Sequence, residues 1–266
     1  MQQSELFSRC QRWRDGRASY RPAGEVFDPS RAHVALIDEA DAKTFVCKMH
    51  YSGTYPASRC RVGLFVKRAF QAERLAGVAV FSVPMNNAAV PAWFPGLAPG
   101  EGVELGRFVL LDEVEANAET WFQARALRML SAALPSLRAV VSYCDPIART
   151  DAEGRRVFPG HLGTIYRAGN AAALGRSSAR TLKLLPNGQV ASERALSKIR
   201  TDDCGAGYAI RQLVAAGAPN RLPFEAGTDY LARIEAGGLF RRLRHPGNLV
   251  FGWSLRPNRR RRREGT

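Results

Sequence analysis

The chain has 266 residues, and its 39 lysines and arginines against 24 aspartates and glutamates give a formal charge of +15 and a pI near 10.4. A hydrophobic fraction of 45% with 24% charged residues excludes a mostly disordered or collagen-like protein, and a chain this long buries about 70–75% of its unfolded surface without a disulfide staple. No run approaches the roughly 18 apolar residues of a membrane-spanning helix, and the start lacks the apolar core of a signal peptide, so a soluble, cytoplasmic protein with no membrane partner is expected.

The first thirty or so residues are polar, with Arg12, Arg14, Arg17 and Arg21 interleaved with Trp13 and Tyr20, and read as an arm over 1–32. HVALI at 33–37 predicts a strand, and residues 38–50 an amphipathic helix through Ala40, Phe45 and Met49. Runs at 60–66 and 75–83 are β-rich and predict antiparallel neighbours. Five prolines and glycines within PAWFPGLAPG make residues 84–102 a loop, in which Trp93 and Phe94 can pack over a pocket.

Residues 103–111 predict a strand. Asn117 is placed to cap a helix whose Phe122, Ala126, Met129, Leu130 and Ala133 repeat at helical spacing before Pro135. The apolar run 137–144 suits a sheet centre and stops at Asp145-Pro146. A charged loop over 148–159 precedes a short helix in HLGTIYRAGN, with Thr164 as its cap and Gly169 or Asn170 at its end. TLKLLPNGQV predicts a hairpin in which Asn187-Gly188 supply positive φ angles, and helices are expected near 192–200 and 206–216.

Only five of the basic residues are lysines, so 34 are arginines, whose planar guanidinium favours bidentate phosphate contacts. Between 176 and 200, Arg176, Arg180, Lys183, Arg194, Lys198 and Arg200 stand against Glu193 alone, and residues 256–266 hold six arginines and one glutamate. Such clustering is the footprint of nucleic-acid binding, with a membrane surface, an acidic protein or a merely solvated tail as the alternatives. Five widely spaced cysteines without a C-x-x-C pair support neither a disulfide framework nor a zinc ribbon and read as buried thiols.

There is no P-loop, G-x-S-x-G, H-E-x-x-H or dinucleotide fingerprint. Asp145, just past a buried strand, is either a general base opening into a cleft or the former of an Asp-Pro turn. His50, at a helix end, is a proton shuttle, a metal ligand joined by His161 and Asp145, or a partner of the helix dipole; no local ligand spacing supports the metal.

Five blocks, HYSG-x-x-P-x-S-R at 50–59, GVAVFSVPMN at 77–86, VELGRFVL at 103–110, VVSYCDP at 140–146 and GTIYRAGN at 163–170, follow the order of the Mom DNA-modification family of bacteriophages, which the chain resembles over roughly 33–175. That family looks like a divergent branch of the GNAT acyltransferase fold. The resemblance implies an α/β (α+β) fold with a mixed central sheet flanked by helices, the strands at 103–111 and 137–144 lying side by side and splayed at a cleft. It implies conversion of adenine in double-stranded DNA to N6-(methylcarbamoyl)adenine, which shields phage DNA from host restriction.

By family position Asp145, His50 and Tyr51 are the expected catalytic residues, with Arg107, Tyr166 and Asn170 shaping the site. The target base has to be flipped out of the duplex. Tyr51, Tyr55, Trp93 and Tyr166 are candidates to stack on it, or are core and loop packing, and Asn86 or Asn87 can make the amide contact that suits adenine. Where ordinary GNAT enzymes cradle coenzyme A in a glycine-rich turn, this chain has Asp112, Glu113 and Glu115 and no glycine, which repels a pyrophosphate. A donor other than acetyl-CoA is therefore expected.

The expected organisation is an arm at 1–32, a catalytic domain at 33–175, a basic region of hairpin and helices at 176–255 with Arg176, Arg180, Lys183, Arg194, Lys198 and Arg200 on DNA, and a disordered tail at 256–266. The alternative readings are a GNAT-type N-acyltransferase of a small-molecule or protein amine, and a DNA-binding protein without chemistry.

Overall fold

The structure, a computed structural model, describes residues 7–14, 17–22 and 24–255. In chain order its elements are β1 (Phe7–Arg14), β2 (Arg17–Pro22), β3 (Ala32–Leu36), α1 (Glu39–Met49), β4 (Ser58–Val66), β5 (Arg74–Ser82), β6 (Gly102–Leu110), α2 (Ala118–Ala133), β7 (Ala139–Cys144), β8 (Arg149–Thr150), β9 (Arg156–Phe158) and α3 (Thr164–Ala168). They continue with β10 (Ala172–Arg176), β11 (Arg180–Leu184), α4 (Glu193–Arg200), α5 (Ala206–Ala215), α6 (Gly227–Ala236), β12 (Arg241–His245) and β13 (Leu249–Ser254). The expected tail at 256–266 lies outside the described residues. Among those described, no helix is long and apolar enough to cross a membrane.

The chain divides into two compact units, one built from the described residues up to 146, from 161–176 and from 248 onward, the other from 147–160 and 177–247. The first holds a seven-stranded sheet in the order β10-β13-β7-β6-β5-β4-β3. Every neighbouring pair is antiparallel except β6 and β7, so the sheet is mixed, as the resemblance implies.

Helices cover both faces because the strands alternate. Val62, Leu64, Val103, Leu105 and Val140 pack with Phe122, Ala126 and Leu130 of α2, while Val78, Val80 and Val109 pack with Ala42 and Val46 of α1. The buried stripe of α1 is therefore turned from the expected one: Ala40 is exposed, and Ala42 and Val46 lie inside between Phe45 and Met49. Asn117 does precede α2, but with φ 69° and no side-chain bond to the helix.

Three further expectations change. The polar stretch at 1–32 is not an arm throughout: β1 and β2 pair as a hairpin, β3 starts at Ala32, and Arg12 is buried against the turn after β6. The hairpin at 187–188 shrinks to an isolated bridge, Leu184 to Val190, with Gly188 but not Asn187 at positive φ. The partner of β11 is β12, some sixty residues on, and β13 leaves the basic region to join the first unit's sheet. A strand's partner is set by which edge is open after folding, and residue pattern does not encode that choice.

Cys60 and Cys144 are buried as expected, whereas Cys47 and Cys204 are exposed. The second unit has its own small core, in which Leu196, Ile199, Leu213, Tyr230 and Ile234 of α4, α5 and α6 meet.

Candidate functional site

β6 and β7 pair only over Gly102–Glu104 and Ala139–Val141, after which their backbones part. One residue further on, the Ser142 hydroxyl replaces the missing ladder bond by donating to the Leu105 carbonyl at 3.1 Å. Ser142 Oγ is also hydrogen-bonded to the buried hydroxyl of Tyr166, carried into the gap by α3. Burial holds the Tyr166 phenol firmly protonated.

A bulge decides what faces this gap. In the pairing with β5, Arg107 opposes Val80 and Leu105 opposes Phe81, so Gly106 is the extra residue. Residues 104 and 107 would point to opposite faces of a regular strand; the bulge turns both to the α1 side. Glycine leaves room for the Ser82 hydroxyl, since a Cβ would come within 2.4 Å of Ser82 Oγ and force it to move.

Glu104 is a carboxylate inside an otherwise apolar strand end, and burial pushes its pKa up to about 7, with Arg107 opposing the shift. Sequence reasoning missed it, although the single acid within GVELGRFVL was a usable signal. Arg107 donates through Nε to the Thr54 carbonyl at 2.9 Å and through Nη2 to Thr54 Oγ1 at 2.6 Å, which fixes the loop after α1. Burial lowers its pKa, and the nearby Tyr51, Glu104 and Tyr166 act to restore it.

His50 caps the C-terminus of α1, its N–H bonded to the Val46 carbonyl at 2.9 Å. Its Nδ1 accepts the Ser52 N–H at 3.2 Å, which puts the ring proton on Nε2. Burial first, then the charges of Arg107 and His161, lower its pKa to about 3. The imidazole is therefore neutral at physiological pH and serves as a hydrogen-bond donor. Tyr51 lies beside it, ring centres 4.2 Å apart, and is 46% exposed.

Asp145 is half-buried at the end of β7, and its carbonyl accepts the His161 N–H at 2.6 Å. The His161 ring stands 5.5 Å from that of Tyr166, and burial lowers its pKa. Burial also raises the pKa of the Cys144 thiol, and Asp145 adds to that shift. Tyr143 is hydrogen-bonded to Trp93, and burial and Glu104 raise its pKa.

Of the residues singled out from the sequence, His50, Tyr51, Arg107 and Tyr166 come together around Glu104, and Asp145 joins them through His161. Tyr55 does not; it packs on the core under α1. Asn86 is exposed in the loop after β5, and Asn170, at φ 60°, is exposed beyond α3. Arg176 ends β10 in the first unit, while Arg180, Lys183, Arg194, Lys198 and Arg200 lie in the second. Among the described residues no three His, Cys, Asp or Glu side chains gather as metal ligands.

The turn between β6 and α2, where the resemblance to GNAT enzymes implies a coenzyme A pyrophosphate, is filled by the chain itself. Arg12 donates to the carbonyls of Leu111 and Val114 at 2.8 and 2.6 Å and pairs with Glu119, and the Glu25 carboxylate accepts the Ala116 N–H at 3.1 Å. With an acid of the chain on that N–H and Asp112, Glu113 and Glu115 around it, the turn does not fit a pyrophosphate.

A model of the Mom protein family matches residues 31–221. No curated protein matches the chain. Among solved structures, a tandem GNAT protein from the clavulanic acid biosynthesis pathway, without AcCoA, is similar over 85% of this chain and 99% of its own, at 8% identity and a TM-score of 0.41.

Proposed function

This chain belongs to the Mom protein family, and from that premise we propose that it is a transferase that modifies the exocyclic N6 of adenine in double-stranded DNA, to N6-(methylcarbamoyl)adenine, shielding phage DNA from restriction. The observation that carries the reading is Glu104: a carboxyl that titrates near neutrality, in a strand gap beside a permanent cation and a neutral histidine. A scaffold that only binds has no need to hold an ionisable acid in that state, and a general base works best with a pKa near the working pH.

The N6 lone pair of adenine is delocalised into the ring and the atom lies inside the duplex, so the base is flipped out at a cost of about a few kcal/mol. Tyr51, half-exposed beside His50, is the side chain placed to stack on it. As N6 bonds to the donor carbon and the donor's leaving group departs with the electron pair of the broken bond, Glu104 takes the N6 proton. Arg107 stabilises negative charge that develops, and the His50 Nε2–H orients the oxygen or leaving group of the donor. Asp145 and His161 are tied to each other by a backbone hydrogen bond at the end of β7.

The sealed turn after β6 argues against coenzyme A as donor at that place, and with it against the alternative of ordinary amine acetylation. The test is to express the chain in a bacterium and analyse digested plasmid nucleosides by mass spectrometry. Modified deoxyadenosine is expected with the natural chain and absent with Glu104→Gln. Unmodified DNA in the presence of soluble natural chain would overturn the reading, and full activity of Glu104→Gln would return the base role to Asp145.

A further inference from the structure

In the second unit β11 and β12 form a regular two-stranded ribbon with five residue pairs in register. Side chains directly opposite share a face. Leu182 opposite Leu243 marks the packed side, since Leu182 is buried. The pairs Thr181 with Arg244 and Lys183 with Arg242 fall on the other side. Arg180 and Arg241 stand at the ribbon's two ends, both exposed. Ten residues thus carry five cations and no acid.

Glu235 of α6 alone serves this face, one oxygen 2.7 Å from Lys183 Nζ and the other on Arg242. Arg244, on the same face, has no ion-pair partner among the described residues. Two cations directly opposite on neighbouring strands repel each other, and one shared carboxylate only partly offsets that. A polyanion laid along the face removes it. The ribbon is about 17 Å long at 3.3 Å per residue, and B-DNA's major groove admits a two-stranded ribbon.

We propose that the β11–β12 ribbon is the surface by which the second unit docks on duplex DNA, with Lys183, Arg242 and Arg244 of the open face contacting backbone phosphates. The proposal rests on reading the chain as a DNA-modifying enzyme, and it adds Arg241, Arg242 and Arg244 to the basic residues visible between 176 and 200.

The experiment measures anisotropy of a fluorescent duplex oligonucleotide with the full chain across a salt series. Arg242→Ala/Arg244→Ala is compared with Arg128→Ala/Arg211→Ala, which removes the same charge from exposed helix positions. The ribbon variant should lose roughly tenfold in affinity, and its slope of log K against log salt should fall by about 1.8, two contacts at about 0.9 each. The matched variant should keep the natural slope, and Arg242→Lys/Arg244→Lys should largely restore it, which separates lost contacts from lost folding.

An unchanged slope, or equal losses in both doubles, overturns the proposal. So does ribbon-dependent binding to phosphatidylserine vesicles with duplex binding untouched, which would make the face a membrane surface. If the natural chain makes no modified adenine but the ribbon variant still loses duplex affinity, the enzymatic reading falls and the ribbon stands. If modification proceeds and the ribbon variant binds duplex normally, the reverse holds.

Discussion

Glu104 and His50 are both held near Arg107, yet burial pushes their proton equilibria in opposite directions, since it disfavours the charged form of each. The carboxyl moves from 4.5 up to about 7. Between those values the folded chain holds the extra proton, so this group's contribution makes stability fall as pH rises. The imidazole moves from 6.5 down to about 3. Between those values the unfolded chain holds the extra proton, so this contribution makes stability fall as pH drops. Over their shared window the two slopes oppose.

Glu104→Gln removes the first slope and leaves the second. The variant should therefore be more stable than the natural chain at pH 8, by up to about 3 kcal/mol, and the advantage should vanish as pH approaches the ordinary glutamate range. Urea melts at a series of pH values measure this. An advantage independent of pH would mean that Glu104 does not titrate in that window.

At the scale of elements, the sheet is opened at one point and locked around it. The β6–β7 ladder stops after three pairs, Ser142 spans the first missing bond, and the bulge at Gly106 sets which side chains look into the gap. The turn that follows β6 is locked by β1 through a single guanidinium. The Arg12 side chain, only 8% exposed, meets the carbonyls of Leu111, Asp112, Val114 and Glu115 at hydrogen-bond distance and the Glu119 carboxylate. Arg12→Ala leaves these groups without their donor and should cost about 3 kcal/mol in chemical denaturation. Arg12→Lys should recover less than half of that loss, because an ammonium lacks the planar fork that reaches several acceptors at once. Full recovery by lysine would show that charge alone holds the turn.

At the scale of the whole chain, the first unit is closed by residues from its far end. β13 pairs with β7 over six residues and with β10 on its other side, and it buries Val250, Phe251 and Trp253. A chain ending at residue 247 lacks that strand, exposing one edge of β7 and leaving β10 without a partner. Its near-UV circular dichroism should lose the signature of packed aromatics, whereas a chain ending at residue 255 should keep it. Retention of that signature without β13 would mean the first unit folds without its long-range strand.

How far these features were legible differs by kind. The alternating apolar runs at 60–66, 75–83, 103–111 and 137–144 announced strands of a sheet, and the helical spacing through Phe122, Ala126 and Leu130 announced the helix that covers it. The ordered blocks around His50, Arg107 and Tyr166 marked residues that the fold does bring together. Glu104 went unread because its chemistry depends on burial and on a bulge that reverses strand parity, and neither follows from residue order.

What the sequence by itself determined is the local content: strands and helices from hydrophobic period, a basic surface from arginine count, and the family from motif order, because each depends on neighbours along the chain. Only the tertiary structure decided the pairings made across long separations, β11 with β12 and β13 with β7, and with them the cationic ribbon. It alone also filled the turn after β6 with Arg12 and Glu25, and placed a carboxyl titrating near pH 7 beside a neutral histidine. Those outcomes arise from desolvation and edge availability, which exist only once distant segments have come into contact.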